Sequence, residues 1–187
     1  MSNGTLSPAC QHVQRWLDVM VIGHNFCPFA SYVREHDSIR YTDVASDDMA
    51  AVLSTLQTEF QYLDEHSDTS TTLVVLSAGW TSFDDYLLLM DMAQQSLTHW
   101  DYEGIYQLAS FHPDYLFAGE PADAPSHYTN RAPHPVMHII READIEQALA
   151  HYERPESIPE NNIATAEKLG CNHLQNQLNA CKTHQHR

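Results

Sequence analysis

Cys27 stands directly before Pro28 in the run His24-Asn25-Phe26-Cys27-Pro28-Phe29-Ala30. A cysteine before a helix-opening proline would sit at a helix N-terminus, where the helix dipole favours the thiolate. His24 or His112 would then serve as its base. The alternative is a buried thiol among Phe26, Pro28 and Phe29, behaving as a small hydrophobe.

The second group lies in the stretch Ser110–Glu142, which holds five of the nine prolines, four of the thirteen histidines and two of the seven arginines. His112 and Asp114 flank Pro113 at what reads as a strand exit, a position suited to a general base and its orienting carboxylate. A loop locked by side chain to backbone hydrogen bonds is the alternative. Arg131 and Arg141 are the candidate anion-binding groups, with Asn130 and Tyr128 to orient a ligand. Internal salt bridges to Asp114, Glu120 or Glu142 would use the same arginines structurally. Asn25 and His138 complete the candidate ligand-binding set, although Asn25 is the weaker member and helix capping is the more natural task for it.

His24, Cys27, His112, His127, His134 and His138 could contribute to a metal site. None has a dedicated ligand spacing, so metal binding is a minor reading. The residues name no cofactor.

Composition narrows the partners. The chain has 187 residues, 25 acidic against 9 basic ones, and a formal net charge of -16. Its two lysines are Lys168 and Lys182. Nucleic-acid binding depends on neutralising phosphates with basic residues, so DNA and RNA are excluded as expected partners. No Walker loop is present, and the scarcity of lysine disfavours Schiff-base chemistry. No apolar run is long enough to span a membrane. The N-terminus lacks the pattern of a signal peptide, and the four cysteines show no CxxC spacing. A cytoplasmic protein with free thiols is expected.

The elements that must position these groups follow from periodicity. Ser7-Pro8 opens a helix through Val21 that Gly23 ends as a C-terminal cap. Pro28 opens a short helix through Val33. Ile39–Val44 reads as a strand, and Ser46 starts a helix that buries Val52, Leu56, Phe60 and Leu63. Thr72–Ala78 is apolar enough for a central strand. Ser82 caps the next helix, and a strand over Ile105–Phe111 runs into His112. Val136–Arg141 is a fourth strand, and Asp144 opens a helix through a capping box. Pro159–Leu169 is a last helix, closed by Gly170. The fold class is α/β (α+β), a single domain with a mixed sheet of about four strands and helices packed on it. The domain is read as residues 1–170, with residues 171–187 a polar tail, partly ordered at best and dispensable.

The motifs HNFCPFA, SFHPDYLFAG, YTNRAPHPVMHIIRE and NNIATAEKLG resemble those of a bacterial family known only as a domain of unknown function, number 1415. The likeness runs from about Pro8 to Gly170 and matches at Asn25, Cys27, His112, Asp114, Asn130, Arg131, His138 and Arg141. It departs at Phe26, Leu116, Ala132, His134 and Asn161. The resemblance implies a family and carries no activity with it. From the residues, the expected function is an enzyme acting on a small anionic metabolite. The alternative is a non-catalytic binding or interaction protein with a structural central loop.

Overall fold

Ser7 turns the chain into its first helix. Its Oγ accepts from the Cys10 N–H at 3.3 Å, and Pro8 takes the first helical position, where no N–H is needed. The structure is a computed structural model and describes residues 5–150 and 152–183. Helix α1 (Pro8–Trp16) runs into a π-helical turn, Leu17–Ile22. Gly23 follows with φ -59°, so it is no left-handed cap as expected. It is needed for space, because a Cβ there would lie 2.1 Å from the Val19 carbonyl oxygen. Asn25, with φ 56°, takes the left-handed conformation instead.

The short helix α2 spans Ala30–Glu35, two residues later than Pro28 suggested. Strand β1 (Ile39–Val44) leads to α3 (Met49–Glu65), β2 (Thr71–Leu76) to α4 (Phe83–His99), and β3 (Tyr106–Phe111) to the central loop. That loop contains a 3-10 turn, Pro125–Thr129, and returns as β4 (Val136–Arg141). Helix α5 (Glu142–Ala150) follows β4 without a linker, so Asp144 lies inside its first turn rather than before it. Then come α6 (Ile158–Leu169) and α7 (Cys171–Cys181).

The sheet is mixed, four-stranded, with the order β1-β2-β4-β3. β1 and β2 are parallel, and β4 is antiparallel to both β2 and β3. The first three strands therefore point the same way, and β4 fills the gap between β2 and β3. Period-two alternation divides the sheet into two faces. One face presents Val74, Leu76, Tyr106, Met137 and Ile139 to the apolar stripes of α3 and α4. The other presents Val75 and Val136 to Trp16, Met20, Tyr128, Ala166, Leu174 and Leu178.

Leu174 and Leu178 correct the expectation for the C-terminal segment. They are 0% and 3% exposed, so α7 is docked in the core. Their i, i+4 spacing is helical, but two leucines among Asn, Gln and His gave too little periodic signal to recognise.

Candidate functional site

The second sheet face is sealed at only one end. Toward the other, Ile39, Thr71, Leu73, Ala109, Phe111, His138 and Ile140 floor a cleft of about 1020 Å³. Cys27, Phe29, Tyr32 and Val33 form one wall, and Asp144, Ile145, Gln147 and Ala148 of α5 form another. The volume is at the upper end of small-molecule sites, and the lining is mainly apolar with a few polar groups, as such sites are.

His138 is the titratable group on the cleft floor. On β4 it pairs with Leu73 on one side and Ala109 on the other. Its Nε2 lies 2.7 Å from Thr71 Oγ1. The Thr71 hydroxyl has a single proton, which it donates to the Ile139 carbonyl. Thr71 therefore accepts from His138, and Nε2 carries the imidazole proton. Nδ1 is left as a lone-pair acceptor. Among the described residues it has no partner, and it is absent from the sealed polar atoms that lack one, so it opens to the cleft. Burial among apolar neighbours pushes the His138 pKa down to about 4, so the ring stays neutral at physiological pH.

Cys27 lines the same cleft, half-buried. Backbone N–H groups of Phe29 and Ala30 bond to its sulfur and favour the thiolate, but desolvation outweighs them and the pKa is raised. The helix N-terminus expected at Cys27 from the Cys-Pro motif is corrected: α2 begins only at Ala30, three residues after the thiol.

His112 is elsewhere. It is 0% exposed, with its ring against Phe83 and Tyr86 of α4, across the sheet from the cleft. Its Nδ1 accepts from the Asp114 backbone N–H at 3.0 Å, and its Nε2 donates to the Trp80 carbonyl at 3.0 Å. Both nitrogens are occupied, and the exposed Asp114 offers its backbone rather than its carboxylate. Burial lowers the His112 pKa, with the Trp80 hydrogen bond and the Asp114 charge opposing. The expected pairing of Cys27 with His112 does not occur.

The polar residues of the central loop hold it together. Asn130 Nδ2 donates to the Ser110 carbonyl at 3.1 Å, and its own carbonyl accepts from the His112 N–H at 3.2 Å. Tyr128 is buried and donates to Gln175 Oε1 at 2.8 Å, fastening α7. Arg131 lies over the Tyr128 ring at 4.6 Å and donates from Nε to the Tyr115 carbonyl at 3.2 Å. Neither it nor Arg141 has a salt-bridge partner among the described residues. Arg141 reaches the cleft wall but spends its donors on backbone carbonyls and the Tyr106 hydroxyl. Asn25 is exposed and serves the turn described above.

Of the expected site residues, the cleft gathers Cys27, His138 and Arg141, and leaves Asn25, His112, Asp114, Tyr128, Asn130 and Arg131 outside. Among the described residues, no group of three or more His, Cys, Asp or Glu is placed to hold a metal ion. Thr71, Ala109 and Phe111 were missed. The available signal was a histidine at an inward position of an otherwise apolar strand, which asks for a polar neighbour.

The family model described as "Protein of unknown function (DUF1415)" matches residues 9–176, and the chain belongs to that family. No curated protein and no solved structure matches the chain.

Proposed function

We propose that this member of the DUF1415 family is a small-molecule-binding protein whose ligand lies in the cleft over the sheet. The observation that carries this reading is His138: a neutral imidazole on an apolar floor, with one nitrogen held and the other open. Apolar walls supply affinity, and one fixed polar group supplies orientation. The four free cysteines fit a reducing compartment such as the cytoplasm, and the net charge of -16 argues against nucleic acid as a partner.

An enzyme acting on a small anionic metabolite is the second reading. Its support is Arg141, a residue that borders the cleft and has no carboxylate partner among the described residues. It ranks second because that guanidinium is already bonded to carbonyls and because His112 lies across the sheet.

A thermal-shift screen of small molecules tests the proposal. A true ligand at about 100 times its dissociation constant stabilises by about 2.7 kcal/mol. Ala109→Trp places a large ring into the cleft beside His138 and should abolish the shifts. Ligands whose shifts survive Ala109→Trp would move the site elsewhere.

A further inference from the structure

We infer that the ligand meets the cleft floor with a neutral hydrogen-bond donor, a hydroxyl such as that of an alcohol or phenol, received by His138 Nδ1. This rests on the cleft reading and specifies its chemistry. The tautomer follows from connectivity: Thr71 gives its proton to the Ile139 carbonyl, so the imidazole proton must lie on Nε2. An acceptor is then the only group the ring can show to the cleft. A carboxylate or phosphate placed there would face a lone pair.

The surroundings point the same way. Arg141 is the cationic side chain in the lining, and its Nη1 and Nη2 already donate to Tyr106 Oη and to the Leu63, His66 and Thr69 carbonyls. Asp144 on the α5 wall adds a negative charge. Leu73, Ala109 and Phe111 surround His138 with apolar surface that cannot solvate an anion. A flat apolar body with one hydroxyl satisfies the open nitrogen and buries against these walls.

Three probes of matched shape decide it: naphthalene, 2-naphthol and 2-naphthoate. Their affinities are measured on the full chain, on His138→Leu and on Ala109→Trp. Wild type should bind 2-naphthol about five- to tenfold tighter than naphthalene, the worth of one neutral hydrogen bond. The advantage should vanish in His138→Leu, while naphthalene binds that variant as before. Ala109→Trp should lose all three. Equal binding of naphthalene and 2-naphthol, still blocked by Ala109→Trp, would overturn the donor inference and leave the cleft reading intact. Tighter binding of 2-naphthoate than 2-naphthol would also overturn it, in favour of an anion. No binding by any probe, or binding indifferent to Ala109→Trp, would defeat both. Should His138→Leu fail to fold, nitrogen-15 spectra of the histidines in wild type remain decisive: a proton on His138 Nδ1 would overturn the inference.

Discussion

Arg141, the last residue of β4, donates from Nη2 to the carbonyl of Leu63 in the last turn of α3. The same nitrogen reaches the His66 carbonyl at 3.3 Å and the Thr69 carbonyl at 3.2 Å. Nη1 donates to Tyr106 Oη at 3.0 Å, and that hydroxyl donates to Asp64 Oδ1 at 2.8 Å. A helix C-terminus leaves carbonyls unpaired and carries partial negative charge. Arg141 answers both needs and ties the end of α3 to the end of the inner strand β4.

Arg141→Leu should therefore destabilise the fold by on the order of 3 kcal/mol, since charge-assisted bonds are lost and carbonyls are stranded. Arg141→Lys should recover only part, because one ammonium cannot reproduce the planar fork. Urea denaturation of the three proteins measures this. A leucine variant as stable as wild type would show that the guanidinium is free for a ligand.

This arginine marks where sequence reading stops. Ile39–Val44 and Val136–Arg141 were legible to the residue, and Thr71–Leu76 nearly so, because apolar runs bounded by turn residues identify strands locally. The insertion of β4 between β2 and β3 is a long-range fact with no local signal. The motif-rich loop attracted attention for its His, Asn and Arg, yet most of those side chains bond to backbone groups of the loop or its neighbours. The cleft is formed by residues as ordinary as Leu73 and Ala109, whose role comes only from which end of the sheet α1, α6 and α7 leave uncovered.

The docking of α7 predicts that a chain ending at Gly170 will be strongly destabilised. Leu174, Leu178 and Cys181 would leave the core, and the hydrogen bond of Tyr128 to Gln175 would be lost. Leu174→Ala in the full chain should cost roughly 2–5 kcal/mol, the usual range for a buried leucine. Thermal melts of both variants check this, and unchanged melting of the truncated chain would show α7 to be dispensable.

Acid should weaken the fold in the histidine range. His12 Nδ1 lies 3.0 Å from His134 Nε2, with the rings 7° from parallel. Burial, His12 and Lys182 lower the His134 pKa to about 4, with Asp43 opposing. His138 is also lowered to about 4 and His112 is lowered, both mainly by burial. An unfolded histidine titrates near ~6.5, so on acidification the unfolded chain takes up protons first. This contribution to stability is complete above about pH 6.5 and is lost as pH falls through about 4. Tm should be level from pH 7.5 to 6.5 and drop by several degrees toward pH 4.5. His134→Gln should make the drop shallower. A Tm that holds or rises across the window would contradict the buried neutral histidines.

Cys27 yields the last prediction, because its motif first suggested chemistry. A catalytic thiol must be ionised near neutral pH, whether by a helix terminus or by an adjacent base. Here the backbone N–H groups of Phe29 and Ala30 reach the sulfur, but desolvation dominates and raises the pKa above its ordinary value of 9.0. Of the two expected bases, His112 is buried across the sheet with both nitrogens bonded, and His24 donates from Nε2 to Gln177 Oε1 at 2.7 Å. Alkylation of Cys27 by iodoacetamide, followed by peptide mapping to separate it from Cys10, Cys171 and Cys181, should therefore be slow at pH 7. Its rate should climb without levelling until above pH 9. Because Cys27 lines the cleft, a bound ligand should slow it further, whereas the buried Cys10 and Cys181 should stay unreactive in the folded protein. Fast modification at pH 7 with a rate that levels below pH 8 would show a thiolate stabilised by groups the structure does not place beside it, and would restore the nucleophile.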